Sequence, residues 1–186
     1  EDLFDKCPNG FKVSQTRVFE ENGQEYSIDL EMVGDKNTKK IAGKVSKSRI
    51  KKEPRREIVE ESEVEYKKGQ NLVLAKPELT EELLPRNYFL FQKLKLNKDI
   101  FKNLEIEDKA YSYETDRYDV VYKITSNEIN NYLGFSNEEV SMEVFGQYSE
   151  NDKTYFHTLA INDKDKKLHF FEKVVEDKGN KEDDAE

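Results

Sequence analysis

Through the last third of the chain, apolar and polar residues alternate with a period of two. That period belongs to a strand with one face buried and the other wet. Val140, Met142 and Val144 flank Ser141 and Glu143, while Tyr155, Leu159 and Ile161 share one face of a second segment. Leu168, Phe170 and Val174 share one face of a third. Asn151-Asp152 suits a two-residue hairpin turn, which pairs Tyr148 with Tyr155, Val144 with Leu159 and Met142 with Ile161. The polar run Asp163–Lys166 then pairs Ile161 with Leu168 and Leu159 with Phe170. A slip of one residue would turn every apolar side chain to the wrong face, so an antiparallel meander is expected here.

The same period of two recurs upstream. Tyr118, Val120, Tyr122 and Ile124 form one face of a further strand, and Ser126 can cap a short helix, Asn127–Leu133, ended by Gly134. Asn22-Gly23 is a strong hairpin signal joining Phe11–Phe19 to Tyr26–Val33, where Tyr26, Ile28, Leu30 and Met32 share a face. Strands near Ile41–Lys47, Ile58–Tyr66 and Leu72–Leu74 follow. Leu79–Leu94 breaks the alternation, because Leu84, Tyr88 and Phe91 recur at helical spacing. Pro85 requires that helix to start there or to kink. The fold class is therefore α+β, a mostly antiparallel twisted sheet of hairpins and meander with one or two helices packed on it.

Composition narrows the rest. Apolar residues make up 35% and charged residues 38%, a balance that borders on disorder, but 10 Tyr and 11 Phe are too many for a disordered chain. At 186 residues, one domain over residues 1–175 is expected, with an acidic flexible tail at 176–186. No apolar run reaches the roughly 18 residues of a membrane span, and none resembles a signal-peptide core. The first residue is Glu1, so a processed product or a fragment is expected, with any targeting segment upstream. Cys7 stands alone, so neither an internal disulfide nor a thiolate metal cluster can form. A net charge of −9 argues against general nucleic-acid binding.

Several stretches resemble a known family. Glu1–Lys6 (EDLFDK) looks like the motif near the start of the mature part of staphylococcal tandem lipoproteins. Asn87–Leu94 (NYFLFQKL) resembles that family's aromatic helix, and Ile100–Glu114 (IFKNLEIEDKAYSYE) its following turn and strand. Ser112–Phe135 is similar to its tyrosine-rich strand and short helix. The resemblance implies a signal peptide and a lipidated cysteine upstream, display on the outer face of the cell membrane, and host interaction or immune recognition without enzymatic activity. Cys7 is not that lipidated cysteine, because a lipobox needs an apolar stretch before it and only EDLFDK precedes Cys7. A small semi-buried side chain is its expected role.

Chemistry-bearing motifs are sparse. The register above sets His157 opposite Glu172 on the apolar face and His169 opposite Ala160 on the other face, so the two histidines diverge. His157 with Glu172 is a candidate pH-sensitive pair, with a structural histidine as the plainer reading. Asn162–Lys167 has calcium-like residues without the glycine and distal glutamate of a calcium loop, and reads as a turn. No HExxH, GxSxG or phosphate loop occurs, and no cofactor is expected.

The candidate binding patch is the basic stretch between Lys36 and Arg56, with ten Lys or Arg against Glu53 alone. Lys39, Lys40, Lys44, Lys47, Lys51, Lys52, Arg55 and Arg56 are its members, suited to lipid headgroups, anionic polymers or a host protein. Glu57, Glu60, Glu61, Glu63 and Glu65 follow at once, so neutralisation across strands is the competing expectation. The expected function is that of a lipid-anchored surface protein meeting host or envelope components. A small-ligand or polymer-binding module, with Tyr111, Tyr113 and Tyr118 lining a groove, is the alternative.

Overall fold

The computed structural model describes residues 3–53, 55–68, 71–94, 98–114, 117–136, 138–147, 156–163 and 167–177. Ten strands form one antiparallel sheet: β1 (Phe11–Glu21), β2 (Gln24–Gly34), β3 (Ile41–Ile50), β4 (Arg56–Lys67), β5 (Asn71–Leu74), β6 (Glu105–Ser112), β7 (Arg117–Ile124), β8 (Val140–Gln147), β9 (Phe156–Asp163) and β10 (Leu168–Glu176). Their spatial order is β5-β4-β3-β2-β1-β10-β9-β8-β7-β6. Two five-stranded meanders thus join through the central pair β1–β10, where Val13 faces Val174.

The Asn22-Gly23 hairpin is as expected. Both residues have positive φ, 52° and 74°, and Glu21 pairs Gln24 directly. Only a turn of that hand matches the twist of its strands. The β8–β9 register also agrees, with Met142 opposite Ile161 and Val144 opposite Leu159. The β9–β10 register differs by two residues. Phe170 faces Ile161, Glu172 faces Leu159 and Leu168 faces Asp163. Strand faces survive a shift of two, which is why alternation alone could not detect it. The Asn151-Asp152 turn and the Tyr148–Tyr155 pair lie outside the described residues.

One face of the sheet is covered by short helices: α1 (Leu3–Lys6), α2 (Thr80–Leu83), α3 (Leu90–Lys93), α4 (Lys98–Asn103) and α5 (Asn127–Leu133). Five short α-helices and one 3-10 turn (Pro77–Leu79) among the described residues replace the one or two helices expected. Of them, α5 matches its signals, with Ser126 Oγ accepting from Ile129 N and Gly134 closing the helix at φ 79°. The helix expected over Leu79–Leu94 is instead two single turns with an extended connection between them. Leu84, before Pro85, has φ −139° and ψ 66°, outside the α region that a following proline disfavours.

Tertiary partners satisfy the backbone groups that a continuous helix would have paired internally. Leu72 N donates to Asn87 O at 2.8 Å, and Tyr132 Oη donates to Tyr88 O at 2.9 Å. The first of these also ties the connection to β5. Beneath these pieces lie two apolar clusters. One gathers Phe11, Val13, Leu30, Met32, Val45 and Leu84, the other Ile129, Leu133, Met142, Leu159, Ile161 and Phe170. Among the described residues no helix is long and apolar enough to cross a membrane.

Candidate functional site

The basic stretch folds as the loop after β2, strand β3 and the start of β4, and β4 brings its glutamates alongside. Lys44 faces Glu63 in register and its Nζ lies 2.6 Å from Glu61. Lys51 pairs with Glu57, Arg49 reaches Glu57 at 3.7 Å, and Arg56 reaches Asp29 at 3.0 Å. The Lys51 bond holds Glu57 below the usual carboxylate pKa. Lys47 projects to the covered face, only 12% exposed, with its ammonium 2.8 Å from Glu82 and 4.7 Å from the Tyr26 ring centre. Lys39 lies 4.7 Å from the Phe4 ring centre. Lys40, Lys52 and Arg55 form no ion pair among the described residues. Exposed pairs of this kind contribute about 0–1 kcal/mol each, but they spread the positive charge over a two-sign surface.

The tyrosines lie elsewhere. Tyr111 faces Tyr118 across β6–β7, and the Tyr111 and Tyr113 rings meet edge to face at 4.8 Å. Tyr113 is 88% exposed, Tyr111 50% and Tyr118 45%. On β7 the residues Tyr118, Val120, Tyr122 and Ile124 keep to one face, and Ile124 and Tyr122 pack in the second apolar cluster. Tyr118 and Tyr111 therefore continue the covered face of the sheet past the last helix, into solvent. Every residue of β6 is exposed, and a bulge at Glu107 offsets its pairing. The bulge and the charges Glu105, Glu107, Asp108 and Lys109 blunt it as an edge.

A third group, of which the sequence nominated only Glu172, as a partner for His157, is buried between the two apolar clusters. Glu172 is fully buried on β10, where it interrupts the apolar series Leu168, Phe170, Val174. One of its oxygens accepts from Phe91 N at 2.8 Å, and the other accepts from Leu90 N at 2.9 Å and Gln15 Nε2 at 2.8 Å. Gln15 Nε2 also donates to Tyr132 Oη at 2.7 Å. Burial pushes the Glu172 carboxyl up to about 7, against the opposing pull of the Phe91, Gln15 and Leu90 donors. Burial, with the Glu172 charge nearby, also raises the Tyr132 hydroxyl. Both carboxylate oxygens are engaged, so Glu172 latches the Tyr88–Lys93 connection onto the sheet. The available signal was a carboxylate placed in an otherwise apolar strand face.

The remaining candidates separate. His157 faces Val174, not Glu172, because of the two-residue shift, and its side chain lies outside the described residues. His169 faces Asn162 instead of Ala160, with Nδ1 2.7 Å from Asn162 Oδ1 on the exposed face. Lys164–Lys166 of the calcium-like run also lie outside the described residues. Cys7 is fully buried beside the first cluster, and burial raises its thiol pKa. Compared with protein-family models and with curated proteins, the chain matches none.

Proposed function

We propose that this chain is the folded domain of a lipid-anchored bacterial surface protein of the staphylococcal tandem-lipoprotein type, acting by contact with a host or envelope component and not by catalysis. The observation that carries the contact reading is the exposed group Tyr111, Tyr113 and Tyr118. Aromatic rings that stay in solvent on an otherwise charge-rich surface suit a binding face, since they offer large contact area at low entropic cost. The anchor reading rests on the residues EDLFDK, NYFLFQKL and Ser112–Phe135. By contrast, the basic stretch, with Lys44, Lys47, Lys51 and Arg56 already in ion pairs, offers a weaker handle for an anionic partner.

Cell fractionation tests the anchor. The full-length protein is expected in the membrane fraction, labelled by radioactive palmitate and cut by protease added to intact cells. Unlabelled protein confined to the cytosol overturns it. A second reading, a module for small ligands or polymers, draws on the same rings, whose faces can stack on sugar units. Binding of soluble glycans, lost on replacing the tyrosines, would favour it over a protein partner.

A further inference from the structure

Phe89 and Leu90 are neighbours in the chain, yet they anchor different parts of the molecule. Phe89 is buried in the first apolar cluster and Leu90 in the second. The peptide nitrogen that joins them, Leu90 N, donates to one oxygen of Glu172, and Phe91 N donates to the other. Glu172 itself stands on β10 opposite Gln15 of β1, in the strand pair that joins the two meanders. The segment is tied down further by Tyr132 Oη on Tyr88 O and by Leu72 N on Asn87 O. Its own helix, α3, is a single turn and too short to be stable by itself.

We propose that the Tyr88–Lys93 segment is a proton-operated clasp over the join of the two meanders, closed on the protonated Glu172 carboxyl and lifting as that carboxyl ionises. Charge burial drives it, because a carboxylate taken out of water is costly without a cation beside it. The groups packed around Glu172 supply none in contact. From β9, Leu159 stands opposite it. From β1 come Gln15 and, two residues along the same face, Arg17. From α5 comes Tyr132, whose hydroxyl is kept neutral by burial. The segment itself carries Tyr88 and Lys93, the ammonium 5.6 Å from the Tyr88 ring centre, and Arg86 before it is held by Asn131 O. Among the described residues none of these cations bonds to the carboxylate. Three N–H donors do favour the anion, but burial outweighs them and lifts the carboxyl to about 7. Once the segment lifts, Glu172 meets water and returns toward its ordinary 4.5, so each pH unit between the two values favours opening. Acid thus fastens the two halves of the molecule and neutral pH loosens them, whatever the exposed tyrosines bind.

Native-state hydrogen exchange on the full chain tests the clasp, with each rate divided by its intrinsic value at that pH. Between pH 5 and pH 8 the Leu90 and Phe91 amides should lose protection roughly fifty- to hundredfold, as linkage across this window requires. At every pH the Leu159 and Ile161 amides of β9 should stay at least about tenfold better protected, because the opening is local. Glu172→Gln should flatten the slope, read at Leu90, whose acceptor that variant keeps. Tyr132→Phe removes a tether without touching the charge, so it should lower protection at all pH values and leave the slope in place. Leu90 and Phe91 exchanging in step with β9, protection independent of pH, or a slope retained in Glu172→Gln would overturn the clasp. Should Glu172→Gln fail to fold, a slope lost in the folded Tyr132→Phe protein overturns it as well.

Discussion

Replacing Glu172 by Gln separates the charge of the latch from its shape. The Glu172 carboxyl titrates near 7 in the folded protein, against an ordinary value of 4.5. Between those values the folded protein still holds a proton that the unfolded chain has released. Stability therefore falls as pH rises through this window and levels off above it. At about 1.4 kcal/mol per pH unit, the separation amounts to about 3 kcal/mol. Gln has the shape of the protonated acid: its carbonyl can still accept from Leu90 N and Gln15, while its NH2 stands where the other oxygen faced Phe91 N. Urea denaturation at pH 5, 6, 7 and 8, followed by circular dichroism, reads the difference directly. Near pH 5 the variant should be the less stable protein by about 1–3 kcal/mol, because its NH2 cannot accept from Phe91 N as the oxygen of the acid does. From pH 5 to pH 8 the difference should move by about 2–3 kcal/mol in favour of the variant. A difference that stays constant across the series would refute the reasoning. It would mean that the three N–H donors outweigh desolvation and hold the carboxylate ionised.

Three further outcomes follow from packing. Tyr132→Phe leaves Tyr88 O and Gln15 Nε2 each short of a partner, and should lower stability by about 1–3 kcal/mol in the same denaturation assay. Gly43→Ala would drive a Cβ into Glu31 O across β2–β3, a backbone clash, so a loss of about 3 kcal/mol or failure to fold is expected by thermal melting. Lys47→Ala removes an ammonium held by Glu82 and the Tyr26 ring and should cost about 1–2 kcal/mol, whereas Lys40→Ala on the exposed loop should change stability by under about 0.5 kcal/mol.

Strands with one buried face were legible because burial writes a period of two into the sequence, as in Met142–Val144 and Tyr26–Met32. The Asn22-Gly23 turn and the Ser126 and Gly134 caps were legible because their backbone geometry restricts residue choice. Strand β6 left no such mark: both of its faces meet solvent, so nothing enforces alternation from Glu105 to Ser112. The Leu79–Leu94 segment misled because its helical spacing arises from apolar anchors, Leu83, Leu84, Phe89 and Leu90, set down on the sheet on either side of Pro85. The β9–β10 shift followed from a loop whose length is not encoded in hydrophobic pattern. For the site, the lysine–glutamate pairing across β3–β4 could be foreseen from adjacent charge runs. The Glu172 latch could not, because its partners lie at distant positions that only the folded sheet brings together.

The most direct test of the proposed contact surface is a pull-down with the purified chain from host-cell and envelope extracts. Wild type would be compared with a Tyr111→Ser, Tyr113→Ser, Tyr118→Ser variant and with Lys39, Lys40 and Lys44 reversed to Glu, each checked for fold by circular dichroism. Lys47 is left intact because it is part of the packed face. The expected result is a partner captured by the wild type and the charge-reversed protein and lost with the tyrosines. Capture that survives loss of the tyrosines and disappears on charge reversal would contradict this account and return the function to the basic stretch.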